Sequence, residues 1–159
     1  MSMEQTSNIV ISIIFAAMSV WLFYGVYKTR DLIFKDKLWN TYRILFAVAG
    51  GLCLITGFLF TSVWDLIRLV LMTLCVIGFL LLRDGISDTG IAVMGRVTPF
   101  ETIRSYDYGD YKDSFRVYAV TEDDPDTRVI LTLPKDQKAE VIAFLKQKMG
   151  KKYTRMKKG

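Results

Sequence analysis

Three apolar stretches, residues 9–27, 44–60 and 66–82, constrain this chain more than anything else in it. Each is long enough, or nearly so, to cross a bilayer as a helix, which takes about 20 mostly apolar residues for a hydrocarbon core of roughly 30 Å. Within lipid the backbone must satisfy its own hydrogen bonds, so such segments are confined to helix. The second and third are slightly short and lean on Trp64 and its neighbours as interfacial anchors. The expectation is an integral membrane protein with three transmembrane helices, followed by a smaller polar domain.

Charge is segregated along the same lines. Hydrophobic residues make up 52% of the chain and charged residues 23%, yet inside the three runs only Arg68 carries a charge. This divides the sequence into a transmembrane region, 1–83, a domain at 84–149, and a basic tail at 150–159. Residues 1–8 carry Glu4 and no basic side chain, whereas the first loop holds Lys28, Arg30, Lys35, Lys37 and Arg43. Basic loops stay in the cytoplasm. The expected location is the cell membrane, multi-pass, with the N-terminus outside and the C-terminal domain cytoplasmic. A cleaved signal peptide would need a basic start and small residues at its cleavage site; Trp21, Phe23 and Tyr24 stand there instead.

The short connection 61–65 makes the second and third runs a helical hairpin. Ala47, Gly50 and Gly57 form a stripe of small residues, the pattern that lets membrane helices approach closely. Ser12, Ala16 and Ser19 form a similar stripe on the first helix. Both stripes serve packing within one bundle, or else a homo-oligomer. Arg68 follows Asp65 by three residues, so the two can pair on one helical face near the outer end. Cys53 and Cys75 fall at similar depths in neighbouring runs and behave as small buried hydrophobes. The basic, apolar-studded loop 28–42 reads either as an amphipathic stretch in the headgroup region or as the ends of two helices.

Beyond residue 84 the period changes to that of strands. Residues 91–94 and 96–98 flank a reversal at Gly95, 99–102 form a turn, 103–108 a strand and 109–113 a loop. In 115–121, Phe115, Val117 and Ala119 share one face; 122–127 is a polar turn; in 128–133, Val129, Leu131 and Leu133 alternate. A helix follows, with Asp136 as its N-cap, Gly150 as its stop and Val141, Ile142, Leu145 and Met149 on its inner face. The expected fold is an antiparallel meander of about five strands capped by a C-terminal helix, an α+β arrangement.

The run Thr-Gly-Ile-Ala-Val-Met-Gly-Arg-Val-Thr-Pro-Phe-Glu-Thr-Ile-Arg-Ser-Tyr-Asp-Tyr at 89–108 resembles the opening of small bacterial pleckstrin-homology-like (PH-like) domains that follow membrane helices. Pro99, Phe100, Ile103 and Tyr106 match the recurring frame, with Phe100 where those domains usually carry tryptophan. The resemblance covers about the last 60 to 70 residues. It implies a membrane-tethered scaffold or sensor without catalysis, although fold alone does not fix activity.

The residues agree with a non-enzymatic reading. The chain has no histidine, and no Gly-rich phosphate loop or nucleophile–base pair stands out. Two cysteines without histidine do not make a zinc site, and Glu122, Asp123, Asp124 and Asp126 lack the spacing of a calcium loop. No cofactor or metal is expected. Residues 84–145 hold 12 acidic and 7 basic side chains, whereas Lys146, Lys148, Lys151, Lys152, Arg155, Lys157 and Lys158 follow with no acid among them. Such a cluster suits anionic lipid headgroups or an acidic protein partner, or it is a solubilising end. It lacks the aromatic platform of a nucleic-acid binder. The function expected is a protein-interaction or membrane-surface sensing module on a membrane anchor; the alternative is a small membrane subunit or immunity-type protein acting through its helices.

Overall fold

The computed structural model describes residues 3–37, 40–57 and 62–156. The chain forms two compact units, Met1–Tyr27 with Leu38–Leu82, and Lys28–Lys37 with Arg83–Gly159.

The first unit is helical: α1 (Met3–Lys28), α2 (Thr41–Gly57) and α3 (Val63–Leu81). Two of them, α1 and α3, are long and apolar enough to cross a membrane, rather than the three expected. At 17 residues α2 falls short: at 1.5 Å per residue it reaches about 25 Å, and it opens on the polar Thr41, Tyr42 and Arg43. Arg43, assigned to a loop by sequence, lies inside α2, buried, with its guanidinium donating to the Leu82 carbonyl. Ser62 caps α3, its hydroxyl accepting from the Trp64 amide, with Asp65 favourably placed in the first turn.

The small residues are used within this unit. A Cβ at Gly50 would lie 2.6 Å from a Val76 methyl, so α2 and α3 approach closely there. The Phe46 and Phe79 rings stack nearby, 4.2 Å between centroids. Ala47 is half-buried, and Gly57 is the last residue of α2. Gly78 leaves room on α3 for Leu22 of α1. Cys75 meets Ser19 at 3.1 Å; Cys53 is exposed, and neither cysteine is in a disulfide. Arg68 pairs with Asp65 at 4.0 Å, as the spacing suggested, and also donates to the Asn8 side chain.

Among the described residues the second unit has seven strands in two antiparallel sheets. The first sheet has the order β1-β2-β3-β4, with β1 (Leu32–Lys35), β2 (Gly85–Ser87), β3 (Gly90–Val93) and β4 (Arg96–Pro99). A single 3-10 turn, Phe100–Thr102, leads to the second sheet, β5 (Ile103–Tyr111), β6 (Ser114–Thr121) and β7 (Arg128–Pro134), in that order. The helix α4 (Lys138–Met149) follows.

Strands β1 and β2 correct the five-strand meander. The loop reading of 28–42 fails because Leu32 and Phe34 are buried while Ile33 and Lys35 are exposed, a strand alternation. Phe34 pairs with Ile86 and Lys35 with Gly85. The pairing is closed by the Asp36 amide donating to the Asp84 carbonyl at 2.9 Å and by Arg83 bonding Asp36. The expected loop 109–113 is mostly strand, since β5 runs to Tyr111 and turns at Lys112, whose φ is +50°. At the β3–β4 turn, Met94 and Gly95 both have positive φ, the geometry of a tight hairpin whose twist matches its strands. Asp84 supports that turn by accepting the Met94 amide at 2.6 Å.

The core combines both sheets and α4. Phe34, Ile86, Ile91, Ile103, Tyr106, Phe115, Val117, Leu131 and Leu133 pack against Val141, Leu145 and Met149, as the strand and helix periods require. Ile142 sits at the rim. Phe100 is buried, and Phe144 meets both it and Phe34. The helix boundaries differ from expectation. Asp136 lies in a 3-10 turn, Gln137 precedes α4 without a side-chain cap, and Gly150 keeps helical torsions into a further 3-10 turn.

Two glycine substitutions test this fold in opposite directions. A Cβ at Gly85 would overlap the Phe34 carbonyl, so Gly85→Ala should break the β1–β2 pairing and cost at least about 1–3 kcal/mol, as overpacking does. Gly150 has open space around it and φ of −52°, so Gly150→Ala should be neutral or gain about 0.4–1 kcal/mol. Chemical denaturation of the full chain in micelles, followed by hydrogen exchange at Asp36 and Ile86, checks both.

Candidate functional site

Beyond α4 the chain does not leave as a free tail. Gly150–Lys152 turn once more, and Tyr153 forms a parallel bridge to Tyr106 on the edge of β5. The Thr154 amide donates to the Tyr106 carbonyl at 3.0 Å, and the Met156 amide donates to Asp107 at 2.9 Å. Asp107 is 3% exposed, and its other oxygen accepts the Tyr108 amide at 2.8 Å. A buried carboxylate needs such donors to offset its desolvation. The Tyr153 ring packs on Tyr108 and edge-on to Tyr106, 5.2 and 5.6 Å between centroids.

This docking sorts the basic residues. Lys148 pairs with Asp88 at 2.7 Å. Lys152 donates to the carbonyls of Phe100 and Glu101, each at 3.0 Å, satisfying the short turn between the sheets. Lys146 and Lys151 are exposed, and Arg155 extends from the docked segment. Lys157 and Lys158 lie outside the described residues.

Arg155 has companions that the sequence did not single out. With Arg104 and Arg128 it lines a shallow cavity of about 480 Å³, together with Ser105 and Thr154. Three features of the sheet assemble it. Ser105, Val120 and Arg128 are direct cross-strand neighbours in one row over β5, β6 and β7. Between Ile103 and Ser105 the register slips by one residue, a bulge that leaves Arg104 without a partner on β6. Bulges re-aim side chains. The docked segment then supplies Thr154 and Arg155 beside β5. Among the described residues, the acidic turn at 122–126 contributes only Pro125 to the lining, and no lining residue is acidic. Guanidinium groups and hydroxyls around a wet hollow are donors suited to an anion.

The signal for Arg104 and Arg128 was available only through pairing. In sequence they are 24 residues apart and separated from Arg155 by 27 more. Nothing local marks them.

Beneath the docked segment, burial, and then the charges of Tyr108 and Tyr153, push the Tyr106 phenol above its ordinary value of 10.0. Tyr106 is fully buried and its hydroxyl finds no partner among the described residues. Desolvation and the adjacent Asp107 carboxylate raise Tyr153 as well.

A family model described as "Domain of unknown function (DUF5673)" matches residues 82–150, from the start of the second unit's main stretch to the end of α4. No curated protein and no solved structure matches the chain. The matched stretch includes Arg104 and Arg128 and ends before the docked segment.

The raised phenols give a pH dependence with a definite sign. Each folded-state tyrosine holds its proton to higher pH than the unfolded chain does, so the contribution is complete below about pH 10. It is lost as pH climbs through the raised values, because unfolding then releases protons. Alkaline titration followed by tyrosinate absorbance and unfolding should show stability falling above about pH 10, with a shallower fall in Tyr106→Phe. A Tyr106→Phe chain with an unchanged alkaline slope would contradict this account.

Proposed function

We propose that this protein is a membrane-anchored, non-enzymatic interaction module, with its second unit held at the cytoplasmic membrane surface. The carrying observation is connectivity. Strands β1 and β2 are hydrogen-bonded neighbours in one sheet, yet α2 and α3 lie between them in the chain. A sheet lies on one side of a membrane. If α3 crosses, something must carry the chain back, and α2 is the element available. This supports α2 as a third crossing despite its length, since the apolar sequence continues through Phe60. A short helix can be accommodated by local thinning of the bilayer at modest cost.

Exposure argues in the same direction. Only 22% of the apolar window in α1 and 11% of that in α3 is buried inside the protein. Core helices of water-soluble proteins bury their apolar faces; these present Val20, Trp21, Leu66 and Val70 outward. Lipid is the solvent that such surfaces suit. The basic first loop favours the N-terminus outside and the second unit inside.

The PH-like resemblance gains support from strand count: β1 and β2 supply what the five-strand reading lacked, ahead of a single C-terminal helix. The binding reading rests on the exposed bases. Lys146, Lys151, Arg104 and Arg155 offer charge to an anionic leaflet, at about 1 kcal/mol per residue near its surface. The polar residues among those lining the cavity, Arg104, Ser105, Arg128, Thr154 and Arg155, carry hydrogen-bond donors, which suits recognition.

Two measurements test this reading. Reporters placed at Gly159 and within the 28–37 segment should report the cytoplasm, and one inserted at 58–61 should report the outside. The same side for all three would remove α2 as a crossing. In nanodiscs, anionic lipid should slow amide exchange in the last turn of α4 and in 151–156, and added salt should reverse the effect. Equal exchange in neutral and anionic discs would remove the surface role.

A further inference from the structure

We propose that the Arg104–Arg128–Arg155 cavity is a binding site for a phosphate group, carried as a monoester. This deepens the membrane-surface reading and rests on it for its biological setting, not for its chemistry.

The first argument is sign. Residues 84–145, the stretch that supplies Arg104 and Arg128, carry 12 acidic and 7 basic side chains and are acidic on balance. Against that background three arginines line one hollow that has no carboxylate among its described lining residues, although Arg128 also borders a neighbouring hollow with Asp123 and Asp124. A local reversal of charge within that stretch attracts anions to the hollow.

The second argument is construction. The three guanidinium groups come from three separate stretches: a bulge in β5, the start of β7, and the segment after α4. Arg155 is held in place by its neighbours on both sides, through the Thr154 amide on Tyr106 and the Met156 amide on buried Asp107. The backbone that carries Arg155 is therefore fixed before a ligand arrives, which lowers part of the entropic cost of binding.

The third argument is ligand shape. A guanidinium is a planar fork of donors that matches two oxygens of a carboxylate or phosphate. A carboxylate offers a single plane and satisfies one or two forks. A phosphate monoester carries about −1.5 to −2 charge and three terminal oxygens, enough for three forks arriving from different directions. Ser105 and Thr154 add hydroxyl donors at the same place. The volume of about 480 Å³ exceeds a phosphate group alone, leaving room for the alcohol that carries it.

The test uses the full chain in neutral-detergent micelles, titrated with inorganic phosphate by calorimetry. Saturable one-to-one binding is expected. Arg104→Gln and Arg155→Gln should each weaken it by about fivefold or more, a loss in keeping with exposed charge-assisted bonds. Lys146→Gln removes the same charge from exposed α4 and should change affinity by less than about twofold. These residues are exposed, and unchanged thermal unfolding of each variant confirms that the fold survives. The source of the phosphate is separated in nanodiscs. Competition of inorganic phosphate by discs containing phosphatidic acid, but not phosphatidylglycerol, identifies a lipid monoester headgroup; no competition by either identifies a soluble phosphate. Absence of saturable binding, or equal weakening by all three substitutions, overturns the proposal. Because micelles present no leaflet, phosphate binding there without any anionic-lipid effect on exchange would sink the surface reading alone. An exchange effect with no phosphate binding would sink only this site.

Discussion

The pairing of β1 with β2 is the constraint on which the remaining architecture depends. Two strands of four and three residues must meet although the α2–α3 excursion separates them in sequence. Loop closure over such a length carries an entropic cost that grows only slowly with length, but it must be met by contacts at the junction. The junction has them. Asp36 and Arg83 form an ion pair at 3.3 Å, with Asp36 7% exposed at its side chain, and backbone bonds between 36 and 84 continue the ladder. Gly85 permits the approach of Phe34, and Phe34 and Ile86 then enter the core opposite α4. The strand that closes the ladder thus also seals one side of the core.

Much of this was legible in the sequence, and the limits of legibility follow from physics. The apolar runs, strands β3 to β7 and the inward face of α4 announce themselves by period, because each is long enough to repeat its pattern. Strand β1 is not. Leu32 and Phe34 are its only buried residues, set among Arg30, Lys35 and Lys37, and its partner lies some 50 residues on. Strand β2 has three residues and begins with glycine. The cap at Asp136 failed for a related reason: the chain takes a 3-10 turn first, so Asp136 falls one residue before the cap position, Gln137. In the helical unit Gly50 stands where α2 approaches Val76 of α3, while the partner of Cys75 was Ser19, on the helix outside the hairpin.

The candidate site was the least legible part. The basic residues after α4 were visible as a cluster, but their division into structural and exposed members depends on tertiary partners. Lys148 and Lys152 are committed to Asp88 and to two carbonyls, whereas Arg155 reaches a cavity whose other arginines come from strands. A bulge at Arg104 cannot be read from alternation, since it is the break in alternation itself.

The docked C-terminal segment resolves two demands with one set of contacts. Strand β5 is an edge of its sheet, and an uncovered edge invites pairing with another chain. Residues 153–156 cover part of that edge with a parallel bridge and two amide bonds, and Tyr153 lies over Tyr106 and Tyr108. The cover depends on the buried Asp107 carboxylate, which accepts the Tyr108 and Met156 amides. Protecting the edge requires the segment to lie beside β5, and lying there carries Arg155 to Arg104 and Arg128. A device that prevents unwanted pairing therefore also assembles a cationic hollow. Any ligand of that hollow would favour the covered edge over the bare one, because what binds only the docked arrangement shifts the population toward it.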